Sequence, residues 1–406
     1  MTTWKGAAGG NVFWPFGGPV TSGGVYPTDP YTSSGSGAWS THMTSTILSN
    51  MVAAGADHIR LQISPGPWLQ AYALGNAAMV SSLFAALDVA VAAIQAAGMA
   101  VMLSPYMSNF VPTYDDPLSI LQGIGTTAYL RYRTWIVAMC SRYASGDMTK
   151  VAVGVLNEPP DPGAFPGDWN GSIQPDLYAA IRAVAPAMTI ALTGSNYSAI
   201  SNLTALSPAG YDANVLWEAH PFSAAISALQ GYTFSDYQYV VGLEYPPVAS
   251  RQAANVAAMT ALVNASALAS GAKTSMITNL TSQLGFYYSL PQDITWIETQ
   301  YDLLSKRTAT LGWCQTHGIP PSSIYIGEWG MTRDNPSYPG AQHLDRVRFY
   351  RDHSIEIAKH GFRSAFDHWD TPDYSICVSP TIAVNDFDPA LIQAIGLPRL
   401  KMLQAA

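Results

Sequence analysis

Short apolar runs alternate along the chain with longer segments whose apolar residues recur every three or four positions. The short runs have the length and composition of β-strands, and the longer segments have helical spacing. The pattern predicts eight strands: Asn11–Phe16, His58–Ile63, Met99–Pro105, Lys150–Asn157, Met188–Thr193, Asn214–His220, Ser323–Glu328 and Arg363–Trp369. It predicts helices between them: Thr44–Ala54, Val80–Ala97, Thr127–Ala144, Ile173–Ala185, Ile297–Thr316 and Leu344–His360.

Glycines mark the ends of several predicted helices. Gly98, Gly318 and Gly361 each follow a helical segment and stand shortly before a strand, as C-capping glycines do. Eight strands with intervening helices predict a (β/α)8 TIM barrel that takes residues 1–406 as a single domain. An open doubly wound sheet is the alternative, but no GxGxxG or P-loop pattern opens a helix.

The connection between His220 and Ser323 is too long for a single crossover helix. Residues 223–295 are therefore predicted to form an insertion. Its middle, Gln252–Gln292, contains one charged residue, Lys273. Because a surface helix normally has a charged face, we expect this segment to pack over the barrel top as a lid or subdomain. A structural elaboration without contact to a ligand is the alternative.

Composition and charge narrow the range of partners. Of the 406 residues 48% are hydrophobic and only 11% are charged, and the net charge is −8. No basic run is present, which argues against a nucleic-acid partner. Cys140, Cys314 and Cys377 are widely separated, so neither a zinc site nor a disulfide scaffold is predicted. The longest apolar stretch, Val89–Leu103, is shorter than the roughly 20 residues that cross a bilayer, so no membrane span is predicted.

Candidate catalytic residues lie where the predicted strands end. Active sites of such barrels form at the C-terminal ends of the strands. Arg60 lies within the second predicted strand and Tyr106 follows the third, while the strand ends carry Asn157, Glu158, His220, Glu328 and Trp369. Two of the six glutamates of the chain, Glu158 and Glu328, close apolar strands. Either glutamate alone could cap a turn or form an ion pair. Two carboxylates that face each other across a barrel mouth, however, are the pair of groups that glycoside hydrolysis requires.

The order and spacing of these residues resemble a known family. Arg60, Asn157-Glu158-Pro159, His220, Gly327-Glu328 and Trp369 resemble the retaining β-glycanases of glycoside hydrolase family 5, the cellulase-like family. The Asn-Glu-Pro sequence is the most specific element, and the resemblance extends from about Asp57 to Trp369 without the insertion. It implies that Glu158 is the general acid/base and Glu328 the nucleophile, with carboxyl groups about 5 to 5.5 Å apart and no cofactor.

The resemblance also implies roles for the neighbouring residues. Arg60 would lie beneath Glu328 and keep it ionised, unless it forms only a structural ion pair. Asn157 would bind the sugar 2-hydroxyl, or else only make a turn. His220 would orient the site, although a histidine at a strand end is often a core residue. Trp369 would form the floor under a sugar ring. Further candidate platforms, or else core residues, are Trp68, Trp169 and Trp329.

Two positions depart from the family pattern. Tyr106 stands where a histidine usually follows the third strand, and Phe222 stands where a tyrosine usually follows the strand-six histidine. The missing tyrosine hydroxyl normally donates a hydrogen bond to the nucleophile. Tyr106 is a candidate to replace that donor, and the alternative is a nucleophile held less firmly. Both departures put the substrate in question more than the chemistry.

The function expected from this resemblance is retaining hydrolysis of a β-linked glucan-type polysaccharide or oligosaccharide, with endo-β-1,4-glucanase activity as the first hypothesis. If the insertion closes the cleft, an exo-acting β-glycosidase is the alternative, as is a β-mannanase. A non-catalytic carbohydrate-binding barrel is a third reading. Because polysaccharides lie outside cells, we expect an extracellular or periplasmic protein whose secretion signal has been removed. The oligomeric state stays open.

A metal-dependent barrel hydrolase is disfavoured. The eight histidines form no HxH or HExxH pair. The tract Asp367-His368-Trp369-Asp370 offers candidate ligands, but successive residues of a strand point to opposite faces.

Overall fold

Eight parallel strands close into a barrel, which confirms the predicted (β/α)8 architecture. The computed structural model describes residues 1–14, 24–27, 38–107, 109, 111–160, 167–222, 224–232, 235–306, 311–335, 338–371, 373–378, 387–398 and 400. The barrel strands are β1 (Ala8–Trp14), β2 (His58–Ile63), β3 (Ala100–Pro105), β4 (Val151–Gly154), β5 (Thr189–Thr193), β6 (Val215–Ala219), β7 (Ile324–Ile326) and β10 (Arg363–Phe366). A separate antiparallel pair consists of β8 (Asp334–Asn335) and β9 (Tyr338–Pro339).

The strand boundaries differ from the predicted ones mainly at the barrel mouth. The second strand is as predicted, whereas the first begins at Ala8 instead of Asn11, and residues 15 and 16 of its predicted range lie outside the described residues. The fourth strand ends at Gly154 instead of Asn157, and the seventh at Ile326 instead of Glu328. The polar residues that end these runs therefore lie on the loops just above the barrel.

Helices surround the barrel. Their bounds are α1 (Trp39–His42), α2 (Ser45–Ala53), α3 (Gly66–Ala73), α4 (Ala77–Ala96), α5 (Pro112–Asp115), α6 (Pro117–Ile120), α7 (Thr127–Tyr143), α8 (Gln174–Val184), α9 (Ser195–Ser198), α10 (Ile200–Thr204), α11 (Ala225–Ala228), α12 (Gln252–Ala265), α13 (Ser270–Ser289), α14 (Thr295–Leu304), α15 (Trp313–His317), α16 (His343–His360) and α17 (Pro389–Ile395). Short 3₁₀ turns span Asp236–Tyr239, Ala249–Arg251 and Pro321–Ser323, and a π turn spans Trp169–Ile173.

The predicted helices are present, with one correction. The segment Ile297–Thr316 is two helices, α14 and α15, because the first ends at Leu304 and the second begins at Trp313. Gly98, Gly318 and Gly361 have φ values of 90°, 67° and 71°. These left-handed conformations are the ones that a C-capping glycine supplies.

Helix α4 is the one helix in the described part of the chain that is long and apolar enough to cross a membrane. That statement rests on length and composition only. Eight of its residues, among them Leu83, Leu87 and Ile94, are buried within the protein. A core helix of a barrel has the same properties, so α4 carries little weight as evidence for a membrane span.

The barrel interior is apolar at its base and charged at its mouth. Trp4 lies at the base with small and apolar side chains from six strands: Ala100, Met102, Ala152, Ala191, Leu216, Tyr325 and Ala365. Alternate residues of a strand face the same side, so Arg60 and Gln62 of β2 both point inward above this layer, as do Glu218 and His220 at β6. A Cβ at Gly327 would collide with the carboxylate of Glu218, so this position requires glycine.

The segment between β6 and β7 contains a helical hairpin, α12 and α13, with an apolar cluster of its own. Met259, Val263, Leu280 and Leu284 pack together in it. Tyr245, which precedes the hairpin, packs its ring against Trp296 and Phe349 and thereby joins the segment to α14 and α16. A lid function for residues 223–295 stays a prediction.

Candidate active site

Arg60 is the centre of a buried polar cluster at the barrel mouth. Its side chain is fully buried, and its Nη1 donates to Glu328 Oε1 at 2.8 Å. Nη2 donates to Asn157 Oδ1 at 2.5 Å, and Nε lies 2.8 Å from Glu218 Oε1. Arg60 therefore ties β2 to the loops after β4 and β7, and its contact with Glu328 is the one that the family resemblance implied. The flanking carboxylates outweigh burial and raise the pKa of Arg60 above its ordinary value.

His220 lies among three carboxylates. Its Nδ1 is 2.9 Å from Glu158 Oε1 and 3.7 Å from Glu328 Oε2, and its Nε2 is 3.2 Å from Glu218 Oε1. Burial alone would lower the pKa of His220, but the surrounding carboxylates outweigh it and raise the pKa to about 10. The side chain is therefore an imidazolium at neutral pH. It is part of the charged cluster and not a neutral core histidine.

Glu158 and Glu328 face each other across this cluster. One carboxylate oxygen of each lies within 4.8 Å of the other. The Glu328 side chain is 6% exposed and that of Glu158 is 25% exposed. Burial raises the pKa of Glu328 to about 7, and repulsion from Glu158 adds to the shift although His220 opposes it. The Glu328 carboxyl group therefore ionises less readily than a free glutamate.

The backbone at Glu158 has an unusual conformation. Its φ is 45°, in the left-handed region that residues other than glycine rarely adopt. Such a conformation costs on the order of 1–3 kcal/mol and is found mainly at functional sites. Nearby, the amide of Asn157 donates to the carbonyl of Pro105 at 2.7 Å, which fixes this loop to β3. The local fold therefore holds the Glu158 side chain at the mouth of the barrel.

Three residues of the cluster were missed from the sequence. Asn11 accepts from Arg60 Nη1 at 2.8 Å and donates to the carbonyl of Gly327 at 2.8 Å. Gln62 Nε2 donates to Glu328 Oε1 at 2.6 Å. Burial would raise the pKa of Glu218, but Arg60 and His220 hold it below its ordinary value. Glu218 is therefore an anion between the two cations.

His368 and Asp367 extend the cluster from the end of β10. His368 Nε2 lies 2.9 Å from Gln62 Oε1, and its Nδ1 lies 2.6 Å from Asp367 Oδ1. Burial would lower the pKa of His368, but Asp367 above all raises it to about 9. Both residues face the nucleophile side of the site, whereas Trp369 does not.

The tryptophans predicted as sugar platforms are core residues. Trp369 is 1% exposed, and its ring packs against Phe366 and Phe387 at centroid distances of 4.6 and 4.9 Å. The others are also buried: Trp68 packs on Phe84 and Trp135, Trp329 on Tyr350 and His353, and Trp169 donates its Nε1 to the carbonyl of Thr193. All four side chains are buried against neighbouring residues, so none presents an exposed ring face.

A cleft opens beside Glu158, on the side of β3 and β5. It is lined by Tyr106, Met107, Asn109, Asp116, Pro117, Leu118, Asn157, Glu158, Pro160 and Tyr197. Tyr197 is 57% exposed and has a φ of 57°, between Asn196 and Ser198, which are also left-handed. The amide of Tyr197 donates to the carbonyl of Pro159 at 2.9 Å, and Ser198 accepts from the amide of His220 at 2.9 Å. This turn therefore places an exposed aromatic ring next to Glu158.

Glu158, His220 and Glu328 are also the three described residues whose ligand atoms could surround a metal ion. The chemistry of the cluster does not fit a cation. The Arg60 guanidinium lies 2.8 Å from Glu328 Oε1, and its positive charge would repel a metal ion bound beside it. The arrangement is suited to proton transfer and nucleophilic attack by carboxylates.

Comparison with known protein families identifies the family of this chain. The sequence profile Cellulase (glycosyl hydrolase family 5) matches residues 25–359. The chain belongs to glycosyl hydrolase family 5. It is thus a glycoside hydrolase, as the resemblance of its strand ends implied. A search of the curated proteins found no match to the chain.

Solved structures share the fold of this family 5 enzyme at low sequence identity. The cellulose synthase subunit Z (CcsZ) from Clostridioides difficile has a TM-score of 0.64 at 15% identity, with 97% of this chain and 100% of that chain covered. The endoglucanase Cel5A from Thermotoga maritima has a TM-score of 0.64 at 16% identity, with 96% of each chain covered. At such identities the likeness shows the fold alone.

Tyr106 is one of the two positions that depart from the family 5 pattern. Tyr106 lines the cleft and packs edge-on against Phe13 at 5.1 Å. In the described contacts of Glu328, its donors are Arg60 and Gln62, and Tyr106 is not among them. The expectation that Tyr106 replaces the missing tyrosine hydroxyl is therefore not met in this geometry. The second donor to Glu328, beside Arg60, is Gln62 of β2.

Proposed function

We propose that this family 5 enzyme hydrolyses β-glycosidic bonds with retention of configuration, through a covalent intermediate on Glu328. The observation that carries the proposal is the approach of Glu158 and Glu328 to within 4.8 Å between carboxylate oxygens. Retaining enzymes hold their carboxyl groups about 5 to 5.5 Å apart, whereas inverting enzymes need about 6.5 to 9.5 Å to admit a water molecule. The short separation supports double displacement.

The hydrogen bonds support different roles for the two carboxylates. Glu328 Oε1 accepts from Arg60 and Gln62, which favours the anion and leaves Oε2 for attack on the anomeric carbon. Glu158 lies on the more exposed side of the site and is proposed to donate a proton to the departing glycosidic oxygen. In the second step Glu158 takes a proton from water, and the water oxygen displaces Glu328 from the sugar.

Glu218, Arg60 and His220 support these roles through charge. Two cations lie among three glutamates, so the cluster carries one uncompensated negative charge unless a proton is retained. Asn157, fixed by Arg60, is placed beside Glu158 and is proposed to contact the sugar 2-hydroxyl. The cluster needs no cofactor for the proposed chemistry.

The substrate proposed first is a β-1,4-linked glucan cleaved internally. The cleft beside Glu158 continues past Tyr106 to Tyr197 and supports binding of sugars on the leaving-group side. The structural neighbour Cel5A from Thermotoga maritima was solved with cellobiose and with mannotriose. A β-mannan is therefore the second candidate, and exo-acting cleavage of short glycosides is the third.

A panel digestion tests the proposal. Purified protein is incubated with soluble β-glucans, mannan, xylan and aryl β-glycosides while viscosity, released sugars and the anomeric configuration of the first product are followed. We expect early loss of viscosity on one polymer and a β-configured first product. An α-configured first product would contradict retention, and retained sugar binding without any cleavage would favour the non-catalytic reading.

Replacement of Tyr197 tests the leaving-group side of the cleft. We expect Tyr197→Ala to raise KM for the polymer about tenfold, because an aromatic platform contributes on the order of 1 kcal/mol or more to binding a sugar face. Aryl glycosides, whose leaving group does not reach this ring, should be unaffected. Tyr211→Ala, which removes a tyrosine packed against Tyr178 and Trp217, serves as a control. An equal effect on both substrate classes would contradict the platform.

The pH dependence follows from the raised pKa of Glu328. The pKa of Glu328 is raised to about 7 by burial and by its neighbour Glu158. Glu328 must be ionised to attack the anomeric carbon, so kcat/KM should rise with pH through about 7 as Glu328 loses its proton. A pH profile with an aryl β-glycoside measures it. A rate that is unchanged or falls through this pH would contradict ionised Glu328 as the attacking group.

A further inference from the structure

The nucleophile has a second hydrogen-bond donor that the family pattern does not supply. Gln62 is 1% exposed, and its Nε2 donates to Glu328 Oε1 at 2.6 Å. It shares that oxygen with Arg60 Nη1. Phe222 stands where a tyrosine hydroxyl would otherwise serve as the donor. A hydrogen bond to the ionised form of a carboxyl group lowers its proton affinity and fixes its orientation.

The orientation of the Gln62 amide is set by its other end. A carboxylate can only accept, so the atom of Gln62 that faces Glu328 must be the amide nitrogen. The amide oxygen then faces His368 Nε2 at 2.9 Å and requires a proton on that nitrogen. Asp367 lies 2.6 Å from Nδ1 on the opposite side of the ring. An imidazolium held by Asp367 donates at Nε2 whatever tautomer a neutral ring would prefer.

We propose that Gln62 is a positioning residue for the nucleophile, and that the His368–Asp367 pair fixes the direction of its amide. This inference rests on the proposed role of Glu328 in retaining hydrolysis. Without the His368 donor, the Gln62 amide could rotate and turn its oxygen toward the carboxylate, which would repel the anion. The chain Asp367, His368, Gln62 and Glu328 thus replaces one tyrosine hydroxyl with a relay of buried groups.

Other charged groups near His368 are consistent with this arrangement. Glu328 and Asp370 add negative charge around the ring, and Asp373 lies close enough to be influenced by it. The rings of Phe13 and Tyr374 pack at 6.4 and 5.9 Å from the imidazole. His368 is therefore surrounded by anions and aromatic edges, which favour its charged form.

The variant Gln62→Met tests the proposal, because methionine has a similar length and no donor. We expect kcat/KM on an aryl β-glycoside to fall about tenfold to a hundredfold, mainly through kcat, as loss of a hydrogen bond to a charged group implies. The acid limb of the pH profile should move to higher pH, because Glu328 then binds its proton more tightly. Gln70→Met is the matched control: Gln70 is also buried, and it exchanges two 2.8 Å hydrogen bonds with the Tyr26 backbone.

A double-mutant cycle separates the relay from a structural effect. His368→Leu should reproduce part of the loss seen in Gln62→Met, and the double variant should be no worse than Gln62→Met alone, because both changes act through one hydrogen bond. His368→Gln, which keeps a donor, should restore part of the activity lost in His368→Leu. Fully additive losses, or an acid limb that does not move in Gln62→Met, would overturn the proposal.

A measurement that needs no turnover keeps this inference separate from the proposed function. With carboxyl-¹³C glutamate the chain gives only six side-chain signals, and Glu328→Gln identifies one of them. The Glu328 signal should titrate at a higher pH in Gln62→Met than in the wild type. If the wild type cleaves no glycoside, the proposed function fails, whereas an unchanged titration refutes the role of Gln62 whatever the activity.

Discussion

Replacement of Glu328 by alanine is expected to abolish turnover on every substrate, with a loss in kcat of about 10⁴-fold or more, the scale on which removal of a nucleophile acts. No other described carboxylate can take its place. Glu218 is engaged by Arg60 and His220, and Asp367 is paired with His368. Steady-state rates on a polymer and on an activated aryl glycoside measure the effect.

A small external anion provides a positive test of the same role. In Glu328→Ala the truncated side chain leaves space beneath the anomeric carbon, so azide should attack there and yield an α-configured glycosyl azide from an activated β-glycoside. The exposed Glu298→Ala serves as the control and should keep wild-type activity. Comparable thermal unfolding temperatures of the variants establish that the barrel is intact. Residual polymer cleavage in Glu328→Ala would contradict its assignment as nucleophile.

The ends of the strands were the most predictable part of the site. A polar residue that closes a buried apolar strand has few structural reasons to be there, and in a closed barrel all such ends converge on one mouth. Asn157, Glu158, His220 and Glu328 were identified on this ground together with the family resemblance, and Arg60 was identified within the second strand. The structure brings these five residues into one cluster. Their proximity is a property of the structure, while their roles stay proposals.

The alternation of side chains along β2 and β6 also predicts which further residues face the barrel interior. Gln62 is in phase with Arg60, and Glu218 is in phase with His220, so both had to face the barrel interior. Asn11 lies opposite Arg60 in the register of β1 and β2. A polar side chain inside a barrel needs partners, and the buried Arg60 supplies them directly to Glu218 and Asn11.

The tryptophans could not be assigned from position alone. A tryptophan at a strand end can stack on a sugar or fill the space between a loop and a helix, and the sequence pattern is the same in both cases. At the end of β10 the regular alternation stops after Phe366, so His368 turns toward Gln62 and Trp369 packs on Phe387. Tyr197 was missed because its exposure depends on a left-handed turn, which the hydrophobic periodicity of the sequence does not predict.

Replacement of Glu158 by alanine is expected to slow hydrolysis to an extent that depends on the leaving group of the substrate. A polysaccharide needs protonation of the glycosidic oxygen, so its hydrolysis should slow by about 10²- to 10⁴-fold, the range of general acid–base catalysis. A dinitrophenyl β-glycoside leaves without a proton, so formation of the covalent intermediate should keep nearly its normal rate.

Hydrolysis of the glycosyl intermediate, the second step of the reaction, provides a further test of the role of Glu158. Without Glu158 no base activates water, so the glycosyl intermediate on Glu328 should accumulate, and a burst of dinitrophenol should precede slow turnover. Added azide needs no base and should restore turnover with a β-configured product, opposite to the product expected from Glu328→Ala. Stopped-flow absorbance and analysis of product configuration measure both effects. Equal losses on activated and unactivated substrates, without a burst, would show that Glu158 is not the acid/base, because only a proton donor distinguishes leaving groups in this way.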